Sequence, residues 1–186
     1  MVKLSITRKE VEDKLKSVGD YVKMDFLSTC LKKQMDFDTK KFVLLKLSEI
    51  YEARKMFSEA AKMMRNAAEI NTTYDGKMTD FMKSCSLFVK SGHFDEADVS
   101  FTKAMACASG MQKDRIKAMR KEAFKAQAKE YIARDKRSHA AETYEKLLGL
   151  ESLAPDEKRE AQSTLLILYE KLGKVKEFYA LKANMA

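Results

Sequence analysis

The chain is 186 residues long, with 36 Lys+Arg against 28 Asp+Glu, 45% hydrophobic residues, three Cys, one Pro and no Trp. That balance excludes a disordered tail, and no apolar run nears the roughly 20 residues needed to cross a bilayer. Met1-Val2-Lys3-Leu4-Ser5 has no apolar signal core, and Cys30, Cys85 and Cys107 are too widely spaced for a disulfide framework or a closed zinc site; together these point to a reducing cytosol.

Ala, Lys, Glu, Leu and Met dominate the sequence, β-branched runs are absent, and apolar residues recur every three or four positions, so the chain is all-α. The spacing predicts helices over 7–22, 24–35, 39–54, 57–71, 77–91, 94–109, 112–134, 137–149, 156–172 and 174–184. Gly19, Gly76, Gly92, Gly110, Gly149 and Gly173 fall where this pattern breaks, as residues that end helices do. Ser58 and Asp95 lie beside the turns that start second helices. Pro155 ahead of Asp156-Glu157 marks a linker and then an acid-rich first turn. Short connections imply antiparallel hairpins, with the helix at 112–134 long enough to run past its partner.

One spacing then repeats. Leu44, Leu47-Ser48, Tyr51, Phe57, Ala60, Met64 and Ala67 recur at identical offsets as Phe81, Ser84-Cys85, Phe88, Phe94, Ala97, Phe101 and Ala104, with Gly92 between the halves. A third copy has Phe124, Gln127-Ala128, Tyr131, Ala140, Tyr144 and Leu147. A weaker fourth has Leu165, Tyr169, Gly173 and Val175, with Phe178 where Ala is expected. Small residues at Ser48, Cys85 and Ala128, and at Ala60, Ala97 and Ala140, let helices approach closely. Tyr51, Phe88 and Tyr131 fill the space between successive pairs.

This pattern resembles the tetratricopeptide repeat family. The anchors stand 37, 43 and 38 residues apart, longer than that family's repeat of about 34, and the repeat-ending proline and first-slot Trp are missing. The resemblance implies a right-handed α-solenoid of about ten helices in antiparallel pairs, a single domain over 1–186. It would hold a degenerate first pair at 7–35 around Tyr21 and Cys30, repeats at 39–71, 77–109 and 112–149, and a C-terminal pair at 156–185. It also implies a concave groove, lined by the first helix of each pair, that holds a peptide.

Catalysis has little to stand on. His93 and His139 belong to different repeats and form no HxxxH pair, and the glycines are isolated, with no phosphate loop. Cys85 and Cys107 sit at packing positions and Cys30 on an apolar side, where Cys acts as a small hydrophobe. Met63, Met64, Met78, Met105 and Met119 fall where helices pack. Neither an enzyme activity nor a cofactor nor a metal is expected.

The expected function is that of a non-enzymatic adaptor binding an acidic, partly apolar protein segment. Carrying the family's offsets over, the groove is lined by Lys46, Glu49, Met82, Lys83, Ser86, Val89, Lys90, Lys125, Lys129 and Ile132. The lysines would meet the ligand's carboxylates, and Met82, Val89 and Ile132 its apolar side chains. Charge reversal of Lys83 and Lys125 should then weaken binding without lowering thermal stability. The chaperone-tail clamp of the family is disfavoured, because Leu45, Glu49 and Ser86 occupy slots that need Lys or Asn. The alternative is a nucleic-acid-associated protein. Residues 111–137 carry ten basic groups against four acids, an excess that attracts anions or is simply a solvated face. Base stacking would need exposed aromatics there, and Phe124 and Tyr131 are both claimed by packing. Phe178, Tyr179 and Leu181 on the last helix are expected either to cap the array or to dock a second copy.

Overall fold

The computed structural model describes residues 6–185, so the expectation about Met1–Ser5 lies outside the described residues. Ten α-helices occur in them: α1 (Arg8–Lys16), α2 (Asp20–Cys30), α3 (Phe37–Ala53), α4 (Phe57–Ile70), α5 (Tyr74–Ser91), α6 (Phe94–Cys107), α7 (Gly110–Ala133), α8 (Arg137–Leu148), α9 (Pro155–Leu172) and α10 (Val175–Ala183). Each matches an expected helix to within a few residues. The exceptions are α1, which stops at Lys16, and α2, expected over 24–35, which starts afresh at Asp20 with Gly19 as its N-cap and ends at Cys30. The helices fall into two compact units, one ending at Ser109 and the other beginning at Gly110.

In the first unit α1 and α2 both pack on α3 and share little contact with each other. Val11, Leu27, Cys30, Val43 and Leu47 form their common core. The expected first pair around Tyr21 is therefore not a repeat. Tyr21 is 70% exposed and lies under the Arg54 guanidinium, 3.8 Å from its ring centre. The helix instead buries Leu27 and Cys30, nearer its other end. From α3 onward each helix packs on the next through α6. In the second unit α7, α8, α9 and α10 do the same.

One turn recurs at all four expected joints. Lys55 (φ 61), Gly92 (φ 76), Asp135 (φ 52) and Gly173 (φ 68) carry the positive φ values among the described residues, each four positions after its aromatic anchor. The next amide donates back to the anchor's carbonyl: Met56 to Tyr51 (2.8 Å), His93 to Phe88 (3.0 Å), Lys136 to Tyr131 (2.8 Å) and Lys174 to Tyr169 (2.9 Å). This left-handed closure satisfies the orphan carbonyls of the first helix and starts the second one residue later. Glycine adopts it without penalty at two joints. At the other two, Lys and Asp carry the strain of a left-handed L-residue.

The packing slots are filled as the repeat requires. Ala60, Ala97 and Ala140 are each 0% exposed, and Cys85, Phe88, Phe124, Ala128 and Tyr131 are buried. Close approach lets short hydroxyls reach across helices: Ser48 donates to the Ala60 carbonyl (3.0 Å), and Ser84 donates to that of Ala61 (2.9 Å) while meeting Ser100 (3.2 Å). Such bonds offset the cost of burying the hydroxyls. The architecture is thus all-α and tetratricopeptide-like.

Departures have local causes. Gly76 lies inside α5 and Gly110 opens α7; neither ends a helix. A Cβ on Gly76 would collide with the buried Asn71 side chain, so glycine there supplies clearance. Phe37, Tyr74 and Pro155 stand 14 residues ahead of their anchors, whereas Gly110 stands 21 ahead of Tyr131. The long repeat is therefore an extension of α7 by about two turns. Met119, beyond that extension on α7, is exposed, against expectation, as is Val175 on α10. Helix α10 contains no buried residue, and Tyr179 is exposed on it. No helix among the described residues is long and apolar enough to cross a membrane.

Candidate functional site

The candidates divide between the two units, and each set is built on the first helices of pairs. In the first unit, Glu52 near the end of α3 reaches α5. Its carboxylate takes Lys83 at 2.6 Å and Lys90 at 3.4 Å. The two lysines are seven residues apart, two turns along one helix face. Partial burial pushes the Glu52 carboxyl up, but the hydrogen bonds and charges of Lys83 and Lys90 outweigh this and hold it below the ordinary value. Lys46 is paired with Glu49 at 2.7 Å. The expected cations of this unit are thus already ion-paired within their own chain, with Lys83 and Lys90 sharing the single charge of Glu52.

Met82 and Val89 do not offer apolar contact to a ligand. They are 2% and 0% exposed, because α5 is packed by α4 and α6 and buries residues over most of its circumference from Asp80 to Val89. Ser86 is partly buried; Glu49 and Lys83 are exposed.

In the second unit, Glu157 in the first turn of α9 lies between Lys121 (2.7 Å) and Lys125 (3.0 Å) of α7. It also accepts the Ala154 amide at 3.0 Å, the backbone half of a capping box. These bonds, led by that of Lys121, lower its carboxyl pKa to about 2. The same bond from Glu157 chiefly raises the Lys125 ammonium. Beside this clasp is a shallow depression open to solvent, lined by Lys125, Lys129, Tyr144, Leu147, Leu153, Glu157, Glu160 and Ala161. Tyr144, Leu147 and Ala161 of this lining are buried side chains of α8 and α9, so, like Met82 and Val89, they present little apolar surface to a ligand. Burial raises the Tyr144 phenol, whose hydroxyl is engaged with Thr164. Lys129 is exposed on the α7 wall and forms no ion pair among the described residues. Ile132 is 42% exposed and lies outside the lining.

Sequence offsets brought Lys125 and Lys129 together, as the structure does. They missed that Glu157 and Glu160 face them. The proximity of Pro155 and the N3 position of Glu157 signalled its cap, but nothing local signals a partner 32 or 36 residues away. Because Lys83 and Lys125 each hold a carboxylate, reversing them would set like charges together and lower stability. The test that discriminates therefore moves to Lys129.

In the basic segment, Lys121, Lys125, Arg134 and Arg137 are all ion-paired within the chain, and Phe124 and Tyr131 are buried. Cys30 and Cys85 are buried and Cys107 is partly buried; burial pushes the Cys30 thiol up. His93 is the N-cap of α6, its Nδ1 within 3.0 Å of Ser91 Oγ, and His139 leans on Tyr131.

No family model and no curated protein matches the chain. Among solved structures, BtubC (BKLC) from P. vanneervenii overlaps 95% of this chain and 78% of its own at 14% identity and a TM-score of 0.40. Nearly identical TPR-like repeats attributed to a kinesin light chain of Podosopora anserina overlap 95% of this chain and 90% of theirs in two structures, at 14% and 15% identity and TM-scores of 0.40 and 0.39. The four joints and the buried alanines, rather than these loose overlaps, make the repeat tetratricopeptide-like.

Proposed function

We propose that this protein is a non-catalytic protein-binding module, and that its second unit holds a partly apolar, acid-bearing segment of a partner. The observation that carries this is Lys129, an exposed cation in no ion pair among the described residues, at the edge of a depression that also exposes part of Leu153. Apolar contact there would hold the segment, and Lys129 would favour a carboxylate and speed encounter.

Crosslinking in cell extract followed by mass spectrometry, with the original chain beside Lys129→Glu, tests this. Partners crosslinked near residues 125–161 should be lost in the variant while its melting is unchanged, since Lys129 is exposed and in no ion pair among the described residues. Retention of the same partners would refute the site. If RNA is recovered instead, with binding that falls steeply as salt rises, the exposed basic groups Lys113, Arg115 and Lys136 become the better account.

A further inference from the structure

Helices α4 and α8 are covered on two sides, α4 by α3 and α5 and α8 by α7 and α9. The residue ten positions after the anchor faces the following pair. In that slot Ala61 and Ala141 are both 0% exposed, and Ser84 of α5 donates to the Ala61 carbonyl at 2.9 Å. In the last pair the same slot holds Tyr179, 64% exposed. Phe178 and Leu181 of α10 are half-buried, whereas Val175, Tyr179 and Ala183 are exposed at four-residue intervals and form one stripe. Lys176 and Lys182 are exposed on either side of it, in no ion pair among the described residues. A helix that ends an array is expected to turn a polar face outward; this one keeps an apolar stripe there. Helix α2 is likewise covered on one side. It packs on α3, shares little contact with α1, and exposes Tyr21 (70%) and Val22 (52%). Asp25 lies one turn on from both, exposed and in no ion pair among the described residues.

We propose that α10 of one copy of this chain docks against α2 of a second copy, Val175 and Tyr179 meeting Tyr21 and Val22 of the second copy, with its Asp25 beside Lys176 and Lys182. Burial of these apolar side chains holds the contact, and the charges select the face. Docking α10 on α10 would set lysines against lysines, and α2 on α2 would set Asp25 against Asp25, so each face fits the other and not itself. A Tyr in place of the repeat's Ala holds the incoming helix farther off than a further repeat would stand, which leaves room for Tyr21 and Val22. Because the two faces differ, each copy keeps one of each kind free, and association continues past two copies unless a ring closes. Two crossing helices bury less than the roughly 1,200 Å² at which stable interfaces begin, so the contact is weak and falls as salt screens it. It stands apart from the ligand site at Lys129 and does not depend on it.

Sedimentation equilibrium of the full chain, from micromolar to millimolar concentration, tests it. The average mass of the original chain should rise with concentration and fall back as salt is added. Asp25→Lys should weaken association about tenfold, and so should Lys176→Glu made together with Lys182→Glu. Tyr179→Ser should weaken it by about as much, through lost apolar burial. Both charge reversals in one chain should restore association to within about threefold of the original, because opposite charges face one another again. All four positions are exposed, and unchanged melting confirms that the variants fold. An original chain that stays monomeric to millimolar concentration overturns the proposal. So does association that only one of the two reversals weakens, since α10 or α2 then meets a different face. Failure of the combined reversal to restore what each reversal removed overturns it as well.

Discussion

The connections α4–α5 and α8–α9 occupy the same place in their repeats and are closed in different ways. After α4 the chain turns through Asn71, Thr72 and Thr73. Asn71 lies over Gly76 and donates to Asp80 at 2.8 Å, Thr73 caps α5, and Lys41 stands 3.8 Å from Asp80. After α8 the connection runs from Gly149 to Ala154, and Glu157 clasps Lys121 and Lys125 on the rim of an open depression. A buried amide–carboxylate network fills one joint. Partly exposed ion pairs hold the other and leave space beside it. The same repeat thus yields a sealed joint or an open one, according to whether its polar groups point into the joint or stand around it.

The strongest test of this equivalence is the slot that both units share. Ala60→Leu, Ala97→Leu and Ala140→Leu each force extra carbons into a fully closed approach and should cost about 3 kcal/mol in melts followed by far-UV circular dichroism. Equal losses in both units sustain the common register, and an unchanged melt for any of them breaks it. Next comes the sealed joint. Gly76→Ala should displace Asn71, leave buried Asp80 without its amide partner, and cost about 2 kcal/mol. Gly110→Ala, where an added Cβ meets nothing within 4 Å, should be neutral or slightly stabilising.

Smaller and opposite in sign are Lys55→Gly and Asp135→Gly. Removing a left-handed L-residue should raise stability by about 0.5–1 kcal/mol, after the entropy that glycine itself loses. The smallest effect belongs to the solvent-screened clasp. The folded carboxyl of Glu157 lies at about 2 against an ordinary 4.5. Its contribution is complete above the higher value and is lost as pH falls toward the lower. Glu157→Gln should therefore melt lower than the original chain at neutral pH and show a shallower loss between pH 5 and 2.

The repeat was legible because it is written in residue size at fixed offsets: Ala60, Ala97 and Ala140 announce a close approach whatever surrounds them. The joint at Lys55 was not legible, since Lys does not signal a positive φ, and at Asp135 the only signal was the weak left-handed tolerance of Asp. Gly76 was misread because a glycine that provides clearance looks like one that breaks a helix. At the candidate site the offsets placed Lys125 and Lys129 on one face. Pattern could not tell that α5 is wrapped closely enough to bury Met82 and Val89. Nor could it tell that Glu52 and Glu157 would return across a whole helix to claim the lysines. Those facts depend on contacts distant in sequence, which periodicity does not record.

The recurring joint also governs where this chain can change length. From Tyr51 to Ala60, Phe88 to Ala97, Tyr131 to Ala140 and Tyr169 to Phe178 the count is always nine. One residue inserted between the left-handed position and the following small residue would rotate that residue by about 100° around its helix, off the approach it permits. The unequal repeat lengths arise instead between one pair's second helix and the next pair's anchor, in the leading turns of α7 and the connection before α9. Insertions and deletions are therefore tolerable between pairs and ruinous within them, so a tag or loop graft belongs at Gly149–Ala154 and not at Gly92.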